Sequence, residues 1–168
     1  MSGLRKWWRE MLDSRDVQVF SGAISNFFGN TTRSLASVRS AYIAEPGQVL
    51  PKADFSGMVE LTGRYRGWVC FSATRGLLSQ VLMAMGLGND YSDAGQLDLV
   101  GEIANTMIGQ AQRHFGDDLE ISVPKTFSGN ATLLLAESRS RPVLLPMTWN
   151  GYEAVLAIYM NKASDTTQ

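Results

Sequence analysis

Apolar residues recur at helical spacing most regularly between residues 94 and 115. Leu97, Val100, Ile103, Ala104, Met107, Ile108, Ala111 and Phe115 fall on one stripe, the i, i+3, i+4, i+7 signature of a helix buried along one face. Asp98, Glu102, Asn105, Gly109 and Gln112 share the other side. The pattern predicts a helix over 94–114, capped by Ser92 or Asp93. Gly109 stands out, because a glycine inside a helix costs about 1 kcal/mol relative to alanine. A gap beside Asn105 suits a surface that another molecule approaches closely; tight packing within the chain is the rival explanation.

Weaker patterns fill in the rest. Val17, Phe20, Ile24, Phe27 and Phe28 predict a helix over 17–28, stopped near Gly29-Asn30. Residues 44–54, with Pro46, Gly47 and Pro51, read as a loop. Residues 55–61 and 67–73 read as strands with Gly63 near their turn. Thr74 is placed to cap a helix bearing Leu77, Leu78, Val81, Leu82 and Met85, ended by Gly86 and Gly88. Leu119, Ile121 and Val123 alternate as a strand does, up to Pro124, and a further strand is expected over 131–137. Residues 143–149 and 152–159 flank Asn150-Gly151, the preferred pair for a two-residue hairpin turn. Pro142 and Pro146 lack an N–H, so the first of these strands should have an unpaired side or an irregularity. The order of elements predicts an α+β fold, helices packed on a mainly antiparallel β-sheet.

Residues 1–16 have a different texture. Leu4, Trp7, Trp8, Met11 and Leu12 share a helical face bordered by Arg5, Lys6 and Arg9. This amphipathic extension reads as a helix folded back on the domain, with docking on a membrane surface as the alternative. The expected division is therefore 1–16 extension, 17–162 domain, and 163–168 disordered tail.

Composition narrows the chemistry. A chain of 168 residues, 45% apolar and 18% charged, suffices for one domain with a sizeable core. Its net charge of −1 and interspersed basic residues give no field for nucleic acid. The single cysteine, Cys70, lies in the apolar run Trp68-Val69-Cys70-Phe71 and reads as an inert core thiol. The single histidine, His114, has no metal-ligand spacing around it and reads as a capping or surface residue. No metal ligands and no hydrolase triad emerge, and Gly86-Leu87-Gly88-Asn89 lacks a nucleotide fingerprint. No stretch approaches the length of a membrane span, and charges interrupt any signal-peptide core, so the cytoplasm is the expected compartment.

An acid and an amide three residues apart are ordinary on a solvated helix, but here they sit within a longer pattern. Asp98-Leu99-Val100-Gly101-Glu102-Ile103-Ala104-Asn105, followed by Gly109 and later Pro124, is similar to the signature of the CheC/CheX/FliY family of chemotaxis phosphatases. Residues 55–63 resemble the family's first hairpin and 119–124 its proline-bearing strand, so the likeness spans about 17–160. Two departures stand out: a shortened spacer between Asn105 and Pro124, and the extension carrying Trp7 and Trp8. On the earlier helix Asn26 has Ala23, not an acid, three residues before it. The resemblance therefore implies one site, the arrangement of CheX, with Glu102 and Asn105 as the catalytic pair. Asp98, Gly109 and Gln112 are then expected to contact the partner.

The implied activity is hydrolysis of the aspartyl phosphate on a response-regulator receiver domain, in chemotaxis or related two-component signalling. A receiver-binding scaffold without hydrolysis is the alternative. The resemblance further implies that Mg²⁺ resides on the receiver, that no cofactor is bound here, and that the chain is a homodimer. Residues 152–159 are the candidate edge strand for that pairing.

Overall fold

The computed structural model describes residues 12–45, 47–87, 91–138 and 141–163. Among the described residues, four helices, α1 (Ser14–Thr32), α2 (Arg75–Ala84), α3 (Asp93–Phe115) and α4 (Thr132–Ser138), accompany one eight-stranded antiparallel sheet. Its strands are β1 (Ser37–Val38), β2 (Tyr42–Ile43), β3 (Phe55–Gly63), β4 (Tyr65–Ala73), β5 (Leu119–Ile121), β6 (Lys125–Ser128), β7 (Val143–Trp149) and β8 (Tyr152–Lys162). The α+β expectation holds.

Local signals account for most boundaries. Thr74 and Ser92 cap α2 and α3 through their hydroxyls, which accept from the Leu77 and Gly95 amides. The α1 helix begins earlier than its apolar stripe. The Asp13 carboxylate accepts from the Arg15 and Asp16 amides, while the Asp16 carboxylate accepts from the Asp13 amide. This capping box fixes the start at Ser14, inside the segment expected to be an extension. Those backbone donors hold the Asp13 carboxyl below the usual carboxylate range. Residues 1–11 and 164–168 lie outside the described residues, so the amphipathic Trp7/Trp8 face and the tail do too. Asn150 and Gly151 adopt φ of 47° and 80°, as the tight β7–β8 turn requires.

The core lies mainly between the sheet and the α1–α3 layer, around Phe20, Phe28, Phe71, Ile103, Met107 and Ile108. Gln96 is buried there, and its Nε2 donates to the Ser79 hydroxyl at 2.8 Å, tying α3 to α2. The opposite sheet face holds a smaller cluster with Leu50, Met58, Trp68, Cys70 and Leu144. Cys70 is fully buried, and desolvation pushes its thiol up to about 12, which suits the inert role expected of it.

Three sequence expectations are corrected. Residues 131–137 are not a strand: Thr132–Ser138 is helical. Asn130 Oδ1 accepts from the Thr132 amide at 3.1 Å, opening a run of strong helix formers, Leu, Leu, Leu and Ala. The segment after Pro124 carries a further strand, β6, which pairs with β3. Most consequentially, β8 is not an edge strand. It lies between β4 and β7, paired along both sides. The edges are β1/β2 and β5/β6. The irregularity expected at Pro146 is present on that first edge. Strand β1 pairs with Thr148 and Met147, β2 with Leu144 and Val143, and the ladder breaks between them.

One packing contact positions the functional helix. Gly57 of β3 lies under α3 so closely that a Cβ there would come to 2.5 Å of the Val100 carbonyl oxygen and 3.0 Å of Gly101 Cα. Both obstacles are backbone and cannot rotate away. Gly57→Ala should therefore lift α3 and destabilise the protein by about 1–3 kcal/mol. Gly22, on α1, has nothing within 4 Å of a built Cβ. Gly22→Ala should leave stability unchanged or raise it by up to about 1 kcal/mol. Thermal melts of the two variants check the contrast.

Candidate functional site

The α3 helix presents the site. At about 100° per residue, Gln112, Asn105, Asp98, Gly109 and Glu102 lie at about 20°, 40°, 60°, 80° and 100° from Gly101 around the axis. Asp98 and Glu102 are exposed, while Asn105 and Gly109 are half-buried. Among the described residues, the side chains of Asp98, Glu102 and Asn105 make no hydrogen bond or ion pair within the chain. Two carboxylates and a carboxamide are thus brought to one helix face and left bare. They rest on the buried underside of Val100, Ile103, Ala104, Met107 and Ile108. The face can receive cationic groups at the carboxylates, and the amide can donate and accept together.

Gln112 has a different place. It is half-buried, and its Nε2 donates to the Leu119 carbonyl at 2.6 Å. That bond anchors the start of β5 against α3. Gly109 meets nothing within 4 Å of a built Cβ. Among the described residues nothing therefore packs on this glycine, which disfavours the rival explanation. His114 is a surface residue, as expected, with Nε2 3.1 Å from Asp16 Oδ1 at the start of α1.

The sequence reading missed Gly101. It is buried against the second strand of the β5–β6 edge: a Cβ there would lie 2.9 Å from Thr126 Cγ2 and 3.5 Å from Pro124 Cβ. Pro124 is thereby brought against the helix one residue before Glu102, despite the short connection from Asn105. A signal for this was available, since Gly101 stands in an otherwise apolar or polar helical run where glycine is costly. Gly57 and Gly101 admit two different neighbours to the same turn of α3, the β3 backbone from below and the Pro124/Thr126 side chains from the edge. On the neighbouring α1 helix, Asn26 is exposed and Ala23 is 3% exposed, so α1 carries the amide with no acid before it.

The fold and this helix face can be set beside known proteins. The family described as chemotaxis phosphatase CheX matches residues 55–148, more than half of the chain and all of α3. The chain belongs to the CheX family. A CheC-like superfamily protein from Shewanella sp. PV-4 shares the fold with a TM-score of 0.75 at 18% identity, covering 89% of this chain and 99% of that one. Chemotaxis protein CheX from Vibrio vulnificus gives 0.74 at 21% identity, covering 88% and 100%. CheX in a CheX–CheY–BeF3–Mg²⁺ complex from Borrelia burgdorferi gives 0.66 at 14% identity, covering 87% and 97%. No curated protein sequence matches. Among the described residues of this CheX-family chain, no group of three or more His, Cys, Asp or Glu side chains could hold a metal ion. No described helix is long and apolar enough to cross a membrane.

The open space at Gly109 gives a direct test of the helix face. Gly109→Ala should keep or raise thermal stability, by up to about 1 kcal/mol, because the methyl meets no neighbour. Gly109→Leu should also fold, with a melting temperature close to that of the parent. A loss of stability in Gly109→Ala would mean that the glycine is needed for packing after all.

Proposed function

We propose that this CheX-family protein hydrolyses the aspartyl phosphate of a phosphorylated response-regulator receiver domain, in chemotaxis or related two-component signalling. The observation that carries the reading is the bare Glu102/Asn105 pair on the solvent-facing side of α3, inside the segment that matches the family. The reaction needs little covalent chemistry from the protein. Phosphoryl transfer to water passes through a loose transition state, so positioning and electrostatics dominate.

Asn105 suits the positioning role. Its carboxamide oxygen can accept a hydrogen from water while its nitrogen donates to a phosphoryl oxygen, holding the water in line. The water oxygen then bonds to phosphorus as the bond between phosphorus and the aspartyl oxygen breaks. Inorganic phosphate and a free receiver carboxylate result, with the water's surplus proton passing to solvent or phosphate. An amide has no useful basicity near neutral pH, so Asn105 orients the water and does not deprotonate it. Glu102, anionic and unpaired, would repel a phosphoryl group by itself. It docks by pairing with a lysine beside the receiver's phosphorylated aspartate. Asp98 extends the anionic face by one turn, and Gly109 leaves room for the receiver backbone. Mg²⁺ belongs to the receiver side of the complex, where it offsets phosphoryl charge. The likeness to CheX in a CheX–CheY–BeF3–Mg²⁺ complex supports this assignment.

A homodimer is part of the proposal. With β8 interior, the edges open to strand pairing between copies among the described residues are β1/β2 and β5/β6. The β5/β6 edge flanks the site, which leaves β1/β2, with half-exposed Tyr42 and Ile43, as the pairing edge. Sedimentation at micromolar concentration should show a dimer, and Ile43→Pro, which removes an edge N–H, should shift it toward monomer. A wild-type monomer would overturn this part.

The catalytic roles separate kinetically. Asn105→Ala should lower the rate of receiver dephosphorylation by about 10²-fold or more while binding stays within a few fold. Glu102→Lys should weaken binding by several kcal/mol through like-charge contact, and its melting temperature should be unchanged. Loss of acyl phosphate from receivers charged with acetyl phosphate, together with calorimetric affinity, measures both. Binding without hydrolysis by the wild type would establish the scaffold in place of the enzyme.

A further inference from the structure

The edge strands beside the site contain a bulge. Leu61 pairs with Ile121, and Met58 pairs with Lys125. Two residues of β3, Val59 and Glu60, therefore oppose three of the edge: Ser122, Val123 and Pro124. An extra residue in one strand bends it and re-aims a side chain. The side chain re-aimed here is Val123, 83% exposed.

The bulge is held firmly. The Ser122 amide donates to the Glu60 carbonyl at 3.0 Å. The Glu60 amide donates to Ser122 Oγ at 2.9 Å, and that hydroxyl donates to the Val123 carbonyl at 3.0 Å. Lys125 Nζ pairs with Glu60 Oε1 at 2.7 Å. An exposed β-branched apolar residue on a sheet edge is a liability that proteins commonly avoid. Here the backbone is fastened on both sides of it, so it is displayed in one place.

That place borders the candidate site. The edge touches α3 at two points, Gly101 with Pro124 and Thr126, and Gln112 with Leu119. The helix rises about 16 Å between its two anchors, and the strand covers about the same length from Leu119 to Pro124. Helix and edge thus run side by side in opposite directions. Asn105 lies about 6 Å along the axis from Gly101, which brings it level with Ser122–Val123. It is also, after Gln112, the residue of the polar arc nearest to this flank.

We infer that Val123 is an apolar contact for the receiver domain, set by the bulge beside Glu102 and Asn105, and that it contributes to the choice of receiver. This deepens the proposed activity and rests on it. The occupant is the same partner, because a domain seated over Asn105 must also cover the bulge level with it. Its matching surface is apolar next to the lysine that pairs with Glu102, a combination that separates one receiver from another more sharply than charge does.

The test uses the full-length chain and a receiver domain charged with acetyl phosphate. Val123→Ser removes the apolar contact without touching a buried neighbour, and Val123→Ile keeps it. KM for the phosphorylated receiver should rise roughly tenfold in Val123→Ser, in keeping with the loss of one buried aliphatic side chain. Its kcat should stay within twofold, its melting temperature should be unchanged, and Val123→Ile should match the parent. If the parent hydrolyses the receiver and Val123→Ser retains its KM, this inference falls and the proposed activity stands. A Val123→Ser variant with lowered melting temperature and kcat would also overturn it, in favour of a structural role. If the parent dephosphorylates no receiver, the activity and the inference fall together.

Discussion

Backbone-to-backbone contact between α3 at Val100–Gly101 and β3 at Gly57 fixes everything presented by the functional helix. A helix resting on a sheet through side chains can slide or roll by rotamer changes. Here the separation is set by the missing side chain of Gly57, while the missing side chain of Gly101 lets Thr126 and Pro124 of the neighbouring edge come up against the same turn of the helix. Glu102 and Asn105 follow Gly101 by one and four residues, so their direction is inherited from that contact with little slack. The cost is two glycines in regular structure, each unfavourable by about 0.5–1 kcal/mol. Precise placement offsets it where a phosphoryl-transfer reaction would depend on positioning.

The same helix shows how neighbours decide what a polar side chain does. Gln96, Asn105, Gln110 and Gln112 all carry carboxamides on α3. Gln96 is buried and joins α2 through Ser79; Gln112 is half-buried and holds the Leu119 carbonyl. Among the described residues, Asn105 and Gln110 have no intramolecular partner for their amides, and of the two it is Asn105 that shares a face with Asp98 and Glu102. Bare carboxylates one turn apart, Asp98 and Glu102, are mildly unfavourable to each other. Leaving these three unsatisfied by the chain itself is reasonable only on a face open to water or a partner. The amides that are engaged brace the helix against α2 and β5, so the bare ones are displayed from a fixed support.

Much of this was legible in the residues. The apolar stripe of α3 gave its length and its buried face, Ser92 and Thr74 gave helix starts, and Asn150-Gly151 gave the last hairpin. Those signals are local, arising within a few residues, and the structure keeps them. What could not be read depended on contacts between distant segments. The β5–β6 edge pairs with β3 more than fifty residues away, so neither β6 nor the bulge at Val123 has a local signature. Residues 131–137 are a short apolar run that periodicity alone does not assign to strand or helix, and Asn130 Oδ1 accepts from the Thr132 amide where the helix begins. The β8 strand has the same sequence whether at an edge or in the middle of a sheet. Its position came from the pairing of β1 and β2 outside β7, two short strands with little pattern of their own.

Comparison of α1 with α3 exposes the constraint from another side. Gly22-Ala23-Ile24-Ser25-Asn26 and Gly101-Glu102-Ile103-Ala104-Asn105 align with glycine, isoleucine and asparagine in register. Yet a Cβ on Gly22 would meet open space, whereas one on Gly101 would press on Thr126. Ala23 is buried in the core while Glu102 is exposed. An acid at position 23 would therefore begin as a buried charge without a partner, which is costly. Equal spacing along two helices does not make equal sites, because the sheet reaches α3 through Gly57 and the β5–β6 edge and so turns its motif outward. The motif is read correctly only together with the strands that hold it.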